Sequence, residues 1–179
     1  MYRLGLSELF ACKLDSEAYS FFPQYLNMIN WWLSQGQTAT RKNNFTAFRN
    51  QFYDKWRTDW KGYNSQHAQT SCLFALKALN TNIQSKQELK QSFAIISPVS
   101  TKVENKKFMF VTKHAKKAYV ELIPKTPTQN ILLEQTQNSY WKIGQVFLTP
   151  KWCTIPLTRH IDLTKEKDPI LQEFLKHTL

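Results

Sequence analysis

Residues 106–124 read KKFMFVTKHAKKAYVELIP, and this stretch decides how the chain folds. Apolar residues recur at every second position through 106–113 and again through 118–124, the period of a strand with one buried face. Between the two runs, HAKKA at 114–118 predicts a hairpin tip with a basic apex. The same two-residue period predicts strands at 129–134 (QNILLE), 139–149 (SYWKIGQVFLT) and 152–157 (WCTIPL). Upstream of Pro98 the rhythm is different. Phe21, Tyr25, Met28 and Trp32 follow helical spacing from Ser16 to a stop at Gly36, with Pro23 poorly placed inside that helix or marking its true start. Asn44 predicts the cap of a second helix to Trp60 with Phe45, Phe48, Phe52 and Trp56 on its apolar face. A third helix is expected over 65–91, with Cys72, Leu76, Leu79 and Ile83 as its buried stripe. Asp168 and Pro169 open a short terminal helix.

At the N-terminus Tyr2, Leu4 and Leu6 alternate as a strand does. A lone strand must find hydrogen-bond partners, and only the C-terminal half supplies a sheet. The expected class is therefore α+β: a small β-barrel or sheet with a three-helix insertion after the first strand. The expected divisions are 1–12 as the first strand, 13–97 as the helical insertion, and 98–179 as the rest of the barrel with the terminal helix.

The chain has 179 residues, 42% of them hydrophobic and 14% aromatic, enough for a substantial core. Its formal net charge of +11 is concentrated in the middle: residues 1–39 carry −1, 40–83 carry +5, 84–125 carry +6 and 126–179 carry +1. Self-repulsion of this kind does not stabilise a fold, so it points to a polyanionic partner, with nucleic acid ahead of an anionic membrane surface. Cys12, Cys72 and Cys153 stand far apart, with no CxxC or other zinc spacing, and read as reduced core thiols of a cytoplasmic protein. The first residues lack the apolar run of a signal peptide, and no later stretch is long and apolar enough to cross a membrane as a helix.

No catalytic constellation is legible in the sequence. The acidic residues suggest no shared metal, Glu121 and Glu134 read as solvent-facing, and no GxxxxGK[ST] or GxGxxG occurs. A Cys72–His67 pair would be the one nucleophilic arrangement to consider, yet Cys72 sits on an apolar stripe. The expectation is a non-enzymatic chain without metal or cofactor. The positive signal is cations interleaved with aromatics in TRKNNFTAFRNQFYDKWRTDWKGYNSQ, where Arg41, Lys42, Arg49, Lys55, Arg57 and Lys61 would meet phosphates. Tyr53, Trp60 and Tyr63 are the aromatics there expected to stack on bases or sugars. Lys106, Lys107, Lys113, Lys116 and Lys117, with Lys102, form a second cluster around the first hairpin. Both clusters are expected to line one groove where the helices meet that hairpin.

WWLSQG at 31–36, FRNQFYDKW at 48–56 and YNSQHAQTSCLFALKAL at 63–79, between an N-terminal strand and a strand-rich half, resemble the N-terminal portion of TnpB proteins. These are transposon-encoded relatives of type V CRISPR effector nucleases. The resemblance implies a wedge-like β-barrel interrupted by a helical recognition insertion, together gripping guide RNA, the RNA–DNA heteroduplex and a short target-adjacent DNA motif. It implies that Gln66, Gln69 and Thr70 help to read that motif, a task suited to the paired donor and acceptor of glutamine. The family's RuvC-like domain, with three separated acids and a zinc ribbon, has no counterpart in these residues. The implied reading is the non-catalytic lobe, with a separate RuvC-like nuclease chain as a partner. A guide-independent basic DNA-binding protein of a mobile element or virus is the alternative.

Overall fold

A computed structural model of the chain describes residues 2–36, 44–80, 93–161 and 169. The expected terminal helix apart from Pro169, residues 81–91 of the third helix, and Arg41 and Lys42 lie outside them.

The fold is α+β. Strand β1 (Tyr2–Leu14) leads into three helices, α1 (Ser16–Gly36), α2 (Phe45–Asp59) and α3 (Ser65–Asn80). The chain then forms β2 (Ala94–Ile96), β3 (Thr101–Glu104), β4 (Lys107–Lys113), β5 (Lys116–Ile123), α4 (Pro127–Gln137), β6 (Lys142–Ile143), β7 (Val146–Leu148) and β8 (Trp152–Ile161). All the strand pairs are antiparallel, in the order β2-β7-β8-β1-β5-β4-β3 with β6 also on β8. As the unpaired first strand required, β1 is central: Tyr2–Ala11 pairs with β8 and Ala11–Leu14 with β5. The barrel alternative does not hold, because the sheet stays open. Edge strands β2 and β3 are only three and four residues long and pack against helices, β2 against α1 and α3 and β3 against α4, instead of pairing with each other.

Alternation is strict where it matters. Phe108, Phe110 and Thr112 of β4 and Ala118, Val120 and Leu122 of β5 face the core with Phe10 and Cys12 of β1. Helix α1 lies on that face, its Phe21 ring 5.4 Å from Phe110 and its Glu17 accepting a hydrogen bond from Thr112 Oγ1 at 2.6 Å. Asp15 starts the helix. One of its carboxylate oxygens accepts from Ala18 N at 2.7 Å and the other from Tyr119 N at 3.0 Å, so a single side chain caps α1 and ties it to β5. Pro23 does not interrupt α1. The bond it removes is the one to the carbonyl of Tyr19, and both residues lie on the exposed side of the helix. At the other end Gly36 admits Leu79 of α3, since a Cβ there would sit 2.5 Å from Leu79 Cδ1.

Three local expectations are corrected, and two strands were not anticipated. Residues 129–134 form part of helix α4, not a strand: Thr126 Oγ1 accepts from Gln129 N at 3.2 Å, Pro127 occupies the first turn, and Leu132, Leu133 and Thr136 make a helical buried face. The span 139–149 is two short strands separated at Gly144, whose missing side chain lets Pro156 approach. Strand β8 runs to Ile161, four residues beyond the expected end. Strands β2 and β3 had no signal long enough to be read.

The β4–β5 hairpin carries strain at its tip, where Ala115 holds a φ of 61°. Glycine occupies that region without the steric cost a Cβ incurs, so Ala115→Gly is expected to stabilise the fold by about 1 kcal/mol. A raised midpoint in urea denaturation at unchanged slope would register it; a lowered midpoint would contradict this geometry.

Candidate nucleic-acid interface

The turn between α2 and α3 joins the tip of the β4–β5 hairpin through backbone bonds. Gly62, with a φ of +91°, bends the turn. Its carbonyl then accepts from His114 N at 2.7 Å, Asn64 N donates to Thr112 O at 3.1 Å, and Tyr63 bridges Lys113. Asn64 also caps α3, its Oδ1 accepting from Gln66 N at 3.0 Å. Behind the seam His67 Nε2 donates to Val111 O at 2.8 Å, locking α3 to β4. Two cationic segments distant in sequence thus meet here.

At the seam Lys113 Nζ lies 4.6 Å from the centre of the Tyr63 ring, a cation–π contact that leaves its charge available. Arg57 and Lys61, at the end of α2 and just beyond it, are exposed. Lys116 is partly neutralised by Glu17 at 3.9 Å, and Lys102 by Glu104 at 2.8 Å. Arg57, Lys61, Lys106, Lys107, Lys113 and Lys117 have no carboxylate within 4 Å among the described residues. Of these, Arg57, Lys61 and Lys113 belong to the seam, and unmatched cations there favour a polyanion by counterion release.

The expected single groove is not formed; the cations divide. Lys106 and Lys107 lie at the far end of β4, about 20 Å from Lys113 by strand geometry. On α2 the apolar stripe is flanked on both sides. Lys55 turns towards the end of α1, donating to Gln35 Oε1 at 3.2 Å and lying 5.9 Å from the Trp31 ring. Arg49 stands on the other flank, 5.9 Å and 5.8 Å from the Phe45 and Tyr53 rings and bonded to Asn50 Oδ1.

The three aromatics expected to meet a ligand are half-buried and engaged with each other or the core. Tyr53 stacks on Trp56 at 6.4 Å, and Trp60 meets Tyr63 edge-on at 5.7 Å. Of the three α3 positions, Gln69 is exposed, Gln66 is half-buried and accepts from Ser97 Oγ at 3.2 Å, and Thr70 is 3% exposed, which keeps it out of reach of any partner. Sequence reading missed Tyr119, which is 42% exposed. The signal was there, since Tyr119 is out of phase with Ala118, Val120 and Leu122.

Burial governs the titratable groups. Cys72 is fully buried and its thiol is pushed up to about 12, Arg49's charge opposing the shift only in part. That keeps Cys72 protonated at neutral pH and unsuited to nucleophilic attack. Burial raises the Cys12 thiol to about 11 and that of Cys153 further, with Cys12 nearby adding to it. Among the described residues no three His, Cys, Asp or Glu side chains gather to hold a metal ion, and no helix is long and apolar enough to cross a membrane. No protein-family model and no curated protein sequence matches this chain.

Proposed function

We propose that this chain is a nucleic-acid-binding module that grips the phosphate backbone at the seam between the α2–α3 turn and the β4–β5 hairpin. The observation that carries the reading is the set Arg57, Lys61 and Lys113, converging from two segments with no carboxylate within 4 Å among the described residues. With its aromatics half-buried and held in packing contacts, the seam reads charge and shape more than base edges. A three-helix insertion directly after the first strand supports the likeness to the non-catalytic lobe of a TnpB-like RNA-guided nuclease. The open sheet departs from the closed wedge barrel of that family. In this reading the chain is cytoplasmic, binds guide RNA and target DNA, and leaves cleavage to a RuvC-like nuclease unit outside these residues; the residues here use no cofactor or metal of their own.

The test is the triple variant Arg57→Gln, Lys61→Gln, Lys113→Gln, measured by fluorescence anisotropy on a labelled duplex across a salt series. Removing one phosphate-binding cation lowers the slope of log affinity against log salt by about 1, so a drop of about 3 is expected with the melting temperature nearly unchanged. An unchanged slope would remove the seam from the interface. Sequencing of RNA that co-purifies with the chain separates the two kinds of polyanion. A discrete structured RNA supports the guide-dependent reading, whereas DNA alone supports a guide-independent DNA-binding protein.

A further inference from the structure

The face of the sheet turned away from the helices carries a second arrangement, chemically unlike the seam. Register sets Lys102 opposite Met109 and Met109 opposite Tyr119, so one row crosses β3, β4 and β5 on that outer face. Lys107 lies one step to one side of the row. Lys117, opposite Val111, lies one step to the other. These residues line a concavity of about 280 Å³ that also includes Asn105 of the β3–β4 turn. Its floor is the half-buried Met109 and the open Tyr119 ring. Lys102 is held by Glu104 at 2.8 Å, whereas Lys107 and Lys117 have no carboxylate within 4 Å among the described residues, with Lys107 set in register between Glu104 and Glu121 and Lys117 clear of both. Two rows along antiparallel strands separate their Cα atoms by about 14 Å, a span that two lysine side chains can close upon.

We propose that this cleft takes one unpaired nucleotide of a single-stranded nucleic acid, its base on Tyr119 and Met109 and its flanking phosphates on Lys107 and Lys117. The inference rests on the nucleic-acid reading above and extends it to a second surface with a different preference. At the seam, cations crowd together while the aromatics are packed away, as suits a backbone. On the sheet, an exposed ring and a thioether form a flat apolar floor between two lysines, and Glu104 and Glu121 on the same face hold down the net charge. Affinity there must lean on stacking, which a base inside a duplex cannot supply.

The experiment compares wild type, Tyr119→Ala, Tyr119→Phe and the triple seam variant on a short labelled oligothymidylate and on a labelled duplex. Removing one stacking ring weakens strand binding by roughly 10-fold. The expected result is therefore that Tyr119→Ala loses about that factor on the strand alone, while Tyr119→Phe, which keeps the ring, binds as wild type does. Tyr119 offers only its backbone to Asp15, so Tyr119→Ala should melt close to wild type. Equal strand affinity for wild type and Tyr119→Ala would overturn the cleft and leave the seam standing. Strand binding that survives the triple seam variant but not Tyr119→Ala would uphold the cleft whatever becomes of the seam. A change in oligomeric state with Tyr119→Ala, seen by sedimentation without loss of strand affinity, would reassign the face to contact between copies of the chain.

Discussion

Trp56→Ala is expected to destabilise the fold by about 4 kcal/mol, the upper range for removing a large buried ring together with the cavity it leaves. Trp56 is fully buried at the centre of the α2 contact, its ring parallel to Tyr53. Isolated helices of this length, 15 residues, are marginal in water, so α2 holds its place through Phe48, Phe52 and Trp56 packed into the core. The indole Nε1 is buried without a partner, so Trp56→Phe removes an uncompensated donor along with some volume and should cost less than about 1.5 kcal/mol. Urea denaturation of both variants tests the pair. A loss below about 1 kcal/mol for the alanine variant would mean that α2 is not anchored here. Arg57 lies in the last turn of the same helix and Lys61 just beyond it, so Trp56→Ala should also weaken duplex binding without removing a charge, an effect that the seam variants separate from direct contact.

Acidification is expected to cost the fold about 3 kcal/mol through His67 alone. Burial lowers this imidazole from 6.5 to about 4, the bond to Val111 O opposing the shift only in part. Because Nε2 donates to a carbonyl, the neutral ring carries its proton there, and Nδ1 is buried without a partner. Protonating Nδ1 would bury a charge against the Phe21 ring, 4.6 Å away. The folded-state value lies below the unfolded one, so stability is fully present above pH 6.5. It falls as the unfolded chain takes up a proton that the native state refuses, and the loss levels off below about pH 4. His67→Gln carries no such proton, so its stability should fall less steeply than wild type between pH 7 and pH 4.5. Parallel curves would show that the ring is not held neutral by the fold.

Much of the architecture was legible because it is written in local periodicity. Phe21, Tyr25, Met28 and Trp32 recur at helical spacing and all four are buried, and the alternation through 106–124 became the β4–β5 hairpin. The unpaired N-terminal strand told where it must go, since backbone groups need partners. The failures are equally physical. QNILLE holds apolar residues that suit either period, and the cap at Thr126 with Pro127 decided for helix. Tyr53 and Trp60 look available on a helical wheel and Tyr63 in the turn after it, yet packing partners from elsewhere in the chain half-bury all three.

The sequence by itself determined the α+β class, the place of the helical insertion and the concentration of charge in its middle, because periodicity and net charge are properties of neighbours along the chain. Tertiary structure alone decided that the sheet stays open, that Lys113 joins Lys61 at a seam while Lys107 lies about 20 Å away, and that Tyr119 faces outward between lysines. Those outcomes depend on register and on which strand edges the helices occupy, and both are set by contacts between residues far apart in the chain.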